Sequence, residues 1–193
     1  MDTAFDILQA IGLGLAFGLR PVFAPLLVAL LGALHVGIDL RDTDLAELGT
    51  TWFVIVVAVI AAAWLSFELT RGGLHPVAHL AFAVLFAAAY GAGGYDQHHG
   101  AWWPGAVAGL AGALLAFAAL SPLVAGARQR LAGERDSSVI LLGVLELAAV
   151  VTAFLSLIFP PLALVALVAV LVLLVRGRGT RDGRYAGLRT LTK

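Results

Sequence analysis

The sequence predicts an all-α membrane protein, a polytopic helical bundle with about six transmembrane helices. The chain is 61% hydrophobic, with a mean hydropathy of +0.99. Only 12% of its residues are charged, whereas an average soluble domain has about 25%. Several apolar runs reach the roughly 20 residues that cross a bilayer as a helix. The 22 glycines also favour close helix packing in lipid.

The first apolar run, residues 5–38, carries only two charges, Asp6 and Arg20. At about 1.5 Å per residue it would extend about 50 Å, which is too long for one straight span. Pro21 lacks an N–H and clashes with the preceding helical turn, so we expect a broken helix at Arg20-Pro21. The run is either a broken single crossing, giving six crossings, or a re-entrant hairpin followed by five crossings. We favour the single crossing.

The later spans follow an acidic loop at residues 39–49. We predict spans at residues 51–70, 74–91, 104–123, 138–159 and 162–175, with loops at 93–100 and 127–137 and a turn at Pro160-Pro161. Residues 1–175 would form one transmembrane domain, and residues 176–193 a basic tail. Basic residues collect on the cytoplasmic side of membranes. The tail is therefore expected to be cytoplasmic, and the loop at His98 to lie on the opposite side.

Two segments of the chain resemble each other. Residues 15–21 (LAFGLRP) are similar to residues 115–122 (LAFAALSP), and each segment precedes a span with one glutamate. The sequence therefore predicts two repeats, about 5–91 and 102–175. With three spans in each, the second repeat would be inverted relative to the first, as in many transporters.

An arginine at membrane depth is costly, about 2.5–3.5 kcal/mol on insertion scales. Irregular backbone there survives only where protein or a water-filled cavity satisfies it. We therefore predict a substrate-binding cavity at Gly18, Arg20 and Pro21, with Ser121 at the matching place in the second repeat. The alternatives are a kink whose arginine reaches the headgroups and a structural pairing of Arg20 with a glutamate.

Two glutamates are candidates for proton coupling. Glu146 lies inside its span, where burial disfavours the ionised form and makes proton exchange plausible. It would otherwise be a neutral residue that holds helices together. Glu68 has Arg71 three residues away on the same helix face, so either proton coupling or an interfacial salt bridge fits it.

The sequence gives little support for a metal site or for enzymatic activity. His75 and His79 are four residues apart, and His98-His99 stands beside Asp96, but too few ligands are visible at either place, so no metal site is predicted. The absence of cysteine excludes disulfides and catalytic thiols. No nucleophile elbow, phosphate loop, zinc-protease motif or nucleotide fingerprint occurs. We therefore predict no enzyme, no cofactor and no nucleic-acid partner.

The motif Gly18-Leu19-Arg20-Pro21, followed by Pro25-Leu26-Leu27, resembles a family of small bacterial integral-membrane proteins catalogued only as a domain of unknown function. The family is similar in having one glutamate at the end of an early span and another in a late span, as Glu68 and Glu146 are here. The resemblance covers most of residues 12–175 and implies a multi-pass protein of the bacterial inner membrane. The family's charged segment after the first glutamate is absent, because residues 69–76 read LTRGGLHP.

These observations predict a small transporter or flippase that moves a small anionic or lipid-linked solute, with proton coupling through Glu146 and Glu68. Its partners would be membrane lipid, the solute, and a second copy of the chain or another membrane subunit. The alternative is a substrate-binding or accessory subunit of a larger membrane complex, without transport activity of its own. A water-accessible pocket that reaches Glu146 would favour the transporter or the substrate-binding subunit over the accessory subunit.

Overall fold

The computed structural model describes residues 3–71, 76–130 and 135–186, and these residues are almost entirely helical, without strands. The helices are α1 (Thr3–Leu19), α2 (Phe23–Ala33), α3 (Thr51–Arg71), α4 (Pro76–His99), α5 (Trp103–Arg130), α6 (Arg135–Ile158) and α7 (Leu162–Ala186). In α3, α4, α5 and α6, stretches of 18 to 25 residues are long and apolar enough to cross a membrane. The predicted all-α membrane architecture is confirmed at this level.

The helix break is found at the predicted place. The last helical backbone bond of α1 runs from the N–H of Arg20 to the carbonyl of Ala16, at 3.1 Å. Pro21 cannot donate the next bond, and α2 starts only at Phe23. The residues between the two helices thus form a tight turn with Arg20 at its start.

The first apolar run begins and finishes on the same side of the molecule. Asp6, near the start of α1, contacts His98 at 3.3 Å and His99 at 3.0 Å, at the last turn of α4. Gln9 Nε2 donates to the carbonyl of Gly37, beyond α2, at 3.0 Å. Helices α1 and α2 therefore form a helical hairpin, and the predicted single crossing is wrong. Loop charges could not reveal this, because they are compatible with either path.

The chain turns sharply after α2. His35 and Gly37 adopt positive φ angles of 57° and 76°, and the Asp39 N–H donates to Gln97 Oε1 at 3.0 Å. The backbone N–H of Arg41 donates to Asp39 Oδ1 at 3.3 Å and lowers the pKa of that exposed carboxyl. This turn fixes the end of the hairpin against α4.

We refer to the two ends of the bundle as the Asp6 end and the Arg20 end. Helices α1, α3, α5 and α7 run from the Asp6 end to the Arg20 end, and α2, α4 and α6 run back. The end of α5, the start of α6 and the end of α7 lie at the Arg20 end, while the acidic loop at 39–49 lies at the Asp6 end. This division matches the two sides that the charge pattern predicts.

Small residues bring α1 and α5 into backbone contact. A Cβ added to Gly14 would collide with the carbonyl of Gly109, and one added to Gly18 would collide with the carbonyl of Ala113 and the side chain of Ala116. Later residues of α1 meet later residues of α5, so the two helices run parallel. This packing encloses α1 almost completely within the bundle.

The predicted inverted repeat is not confirmed. A two-fold axis in the membrane plane that related α1 to α5 would make these two helices antiparallel, but they are parallel. The next pair, α3 and α6, does run in opposite directions. Helices α1 and α5 are parallel because of the hairpin, which gives the first half four passes instead of three. Pro122 also fails to break its helix, because α5 continues to Arg130.

Two further boundaries differ from expectation. The predicted loop at residues 93–100 is helical, because α4 extends to His99. Its small residues pack closely: Gly91 lies against Gly105 of α5, and Gly93 against Leu40. Helix α7 has an apolar part, Leu162–Arg176, and continues to Ala186, within the predicted tail. Residues 187–193 lie outside the described part.

Candidate functional site

The break between α1 and α2 places Arg20 between two glutamates. Its Nη1 donates to Glu68 Oε1 at 2.9 Å and its Nη2 to Glu68 Oε2 at 2.5 Å, which is the two-pronged geometry that guanidinium and carboxylate groups favour. Its Nε donates to Glu146 Oε1 at 2.8 Å. Arg20 is 5% exposed and each glutamate 9%. The structural pairing anticipated as an alternative is therefore present, and it uses both glutamates at once.

Glu146 also holds the hairpin in place. Its Oε2 lies 3.3 Å from the backbone nitrogen of Phe23, the first residue of α2. The first N–H groups of a helix lack intrahelical partners and attract negative charge. Glu146 thus joins α6 both to the turn and to the start of α2, which is a positioning role.

The cluster has more negative than positive groups. One guanidinium faces two carboxylates, so with both ionised the cluster has a net charge of −1. Burying charges costs free energy that excellent geometry can only partly offset. A proton on one carboxylate would make the cluster neutral. A free anion could reach the Arg20 guanidinium only by displacing one of these carboxylates.

A cavity of about 180 Å³ adjoins the cluster at the Arg20 end. Its polar lining comes from Arg20, Glu68, His79 and Ser121, and most of the remaining wall is apolar. The apolar and small lining residues are Gly18, Leu19, Trp64, Pro76, Phe117, Leu120, Val124, Ala125 and Leu145. Helices α1, α3, α4, α5 and α6 all contribute to this wall.

The structure brings together most of the residues that the sequence singled out. Gly18, Arg20, Glu68 and Ser121 line the cavity. Pro21 is buried in the turn and Glu146 lies behind Arg20, so neither is a lining residue. Glu68, rather than Glu146, is the glutamate with access to the cavity. The salt bridge that the sequence suggested between Glu68 and Arg71 lies outside the described part of the structure, because the Arg71 side chain is not described.

Sequence reasoning missed Trp64. The residue is 4% exposed and lines the cavity, and within the described residues its Nε1 makes no hydrogen bond. Its ring packs edge-on against Phe82 at 4.9 Å. A tryptophan in an apolar span gives no functional signal by itself. Its place in the same cavity wall as Arg20 depends on how the helices pack.

A second polar cluster lies at the Asp6 end, where Asp6 is enclosed by His98 and His99. The ring of His99 stacks on Tyr95 at 4.4 Å. Among the described residues, no three His, Asp or Glu side chains are arranged to hold a metal ion. His75, of the other proposed histidine pair, lies outside the described residues. The Asp6 cluster thus fastens α1 to α4.

Comparisons of the chain with protein-family models, with curated proteins and with solved structures gave no match. The functional argument therefore rests on the geometry of the cluster and the cavity.

Proposed function

We propose that the protein is a small membrane transporter or flippase that couples solute binding at the Arg20 cavity to protonation of Glu68. The observation that carries the proposal is that Arg20 and Glu68 line a cavity inside an apolar helical bundle. Intramembrane ionisable residues that face a cavity are typical of solute and proton pathways. A purely structural ion pair would not need a cavity beside it.

The charge of the cluster suggests how coupling would work. An anionic solute, or the anionic headgroup of a lipid-linked one, binds Arg20 only by displacing a carboxylate. Glu68 is the carboxylate to be displaced, because it faces the cavity while Glu146 also binds the start of α2. The released carboxylate, without its cation and in an apolar wall, takes up a proton. Solute and proton therefore bind together.

One observation favours the second candidate, an accessory or substrate-binding subunit without transport activity. All three charged residues of the cluster pair with one another, and Glu146 does not line the cavity. A subunit of this kind would use the cluster only to hold α1, α2, α3 and α6 together.

Orientation and assembly belong to the same proposal. The Arg20 end, with Arg130 at the end of α5 and Arg135 at the start of α6, is the cytoplasmic side of a bacterial inner membrane, as the positive-inside rule suggests. A homodimer, or a complex with another membrane subunit, would shield the thinly covered α3. Membership of the small bacterial family that the Gly-Leu-Arg-Pro motif resembles is proposed with it.

The test is proton movement in vesicles. The purified protein is reconstituted with an internal pH dye, and lactate, succinate, phosphate or choline is added outside. We expect at least one anion to acidify the interior in protein-containing vesicles and not in protein-free ones. Choline, a cation, is the charge control. If no solute moves faster than in protein-free vesicles, while the chain purifies with another membrane subunit in fixed ratio, the accessory role is correct.

A further inference from the structure

We infer that the cavity binds a small monocarboxylate with an apolar body, whose carboxylate takes the place of Glu68 on Arg20 and also accepts a hydrogen bond from Trp64. The inference rests on the proposed function and adds the chemical class of the solute. It is carried by the Arg20 geometry, the Trp64 donor and the apolar wall.

The first step is the geometry at Arg20. Both Glu68 oxygens are bound by the Nη1 and Nη2 groups, so the planar fork of Arg20 is already shaped for a carboxylate. A solute carboxylate is the same size and shape as the group it would replace. It can therefore exchange with Glu68 without rearrangement of Arg20, which Glu146 holds through Nε.

The second step is the indole of Trp64. A buried N–H without a hydrogen-bond partner costs free energy, and such groups in native proteins call for an explanation. Trp64 is buried, lines the same cavity as Arg20, and its Nε1 lacks a partner among the described residues. An oxygen of a bound carboxylate would supply that partner.

The third step is the rest of the wall, which selects against other anions. Phe117, Leu120, Val124 and Leu145 give the cavity an apolar side, and its polar donors are few. A phosphate or sulfate dianion would place more charge and more oxygens in the cavity than these donors can satisfy. A volume of about 180 Å³ suits a body of benzene size, since a 150 Å³ protein cavity accommodates benzene.

The experiment is a binding measurement, because benzoic acid leaks through vesicles. The full chain in detergent is titrated calorimetrically with benzoate and with its neutral analogue benzamide, in two buffers of different ionisation enthalpy at pH 7. We expect benzoate to bind at least about tenfold more tightly than benzamide, since only the anion can hold Arg20. We also expect an uptake of about one proton per benzoate, taken by the displaced Glu68. His79 is the other neutral or acidic titratable side chain in the cavity lining, and the Glu68→Gln variant separates the two sources of uptake.

Two variants sharpen the test. Glu68→Gln should still bind benzoate but without proton uptake. Trp64→Phe keeps an aromatic ring and removes the N–H, so it should weaken benzoate binding severalfold. The matched control is Trp103→Phe, at a site that is 62% exposed, and it should bind like the wild type.

Equal affinity for benzoate and benzamide, or benzoate binding without proton uptake by the wild type, would overturn the carboxylate assignment. If vesicles then still show proton movement with another solute, the proposed transport stands and only the solute class is wrong. If vesicles show no solute-driven proton movement at all, the proposed function itself fails.

Discussion

Arg20 is the residue on which the site depends. Isolated charges in apolar spans identified Arg20, Glu68 and Glu146 from sequence, because such charges are rare in lipid. Their roles could not be predicted, since those depend on which element returns to which end of the bundle. In the sequence, Glu146 stood out because it lies inside its predicted span. In the structure, Glu68 is the glutamate that lines the cavity.

Replacing Arg20 should destabilise the protein strongly. Arg20→Leu leaves two buried carboxylates without their cation, and breaking a buried pair in this way costs about 3–5 kcal/mol. Adding Glu68→Gln and Glu146→Gln to the same chain removes both charges and should recover part of the loss. The free energy of unfolding in detergent measures both effects.

The control is Arg41→Leu, at a side chain that is 63% exposed; the unfolding free energy should change by less than about 0.5 kcal/mol. If the single and triple Arg20 variants were equally stable, unpaired carboxylates would not be the cause of the loss.

At the scale of elements, the positions of the helices in the sequence were more predictable than the directions in which they run through the bundle. Length and apolar content gave α3 and α6 close to their observed bounds, and they gave the start of α5 but not its end at Arg130. Pro21 located the break, but neither it nor the loop charges showed that α2 turns back. The many glycines indicated close helix packing, and the structure shows that this packing joins α1 to α5 in parallel.

Helix contact at Gly14 should not tolerate a side chain. Gly14→Ala places a methyl group against the backbone of Gly109, which cannot move without separating α1 from α5. We expect a lower thermal unfolding temperature in detergent. Gly143→Ala is the matched control, because nothing lies within 4 Å of the added Cβ. Helix propensity alone should make it neutral or stabilising by up to about 1 kcal/mol. Equal effects of the two substitutions would contradict the close contact.

For the whole molecule, the hairpin determines the topology. It adds a pass to the first half of the chain, so α5 starts at the same end as α1. The helices that contain residues 15–21 and 115–122 therefore run in the same direction, and the inverted repeat is not confirmed. The apolar runs in the sequence give the number of candidate spans. The direction in which each span runs depends on contacts between distant residues, such as the hydrogen bond from Gln9 to the carbonyl of Gly37.

Cysteine labelling tests this topology cleanly, because the chain has no cysteine of its own. Single cysteines at Thr3 and Gln97 should react with an impermeant reagent from the same side of the membrane. A cysteine at Thr190 should be protected from that side and react only after permeabilisation. Labelling of Thr3 together with Thr190 would instead indicate a single crossing.

The most direct test of the central claim compares Glu68→Gln with Glu146→Gln in reconstituted vesicles, using the solute that drives proton movement in the wild type. If Glu68 is the carboxylate that exchanges with the solute, the Glu68→Gln variant should still exchange solute across the membrane. It should not accumulate solute when a pH gradient is imposed to drive uptake. Glu146→Gln, which weakens the support of Arg20 and α2, should reduce exchange and accumulation together. Normal accumulation by Glu68→Gln, with coupling lost only in Glu146→Gln, would contradict the account.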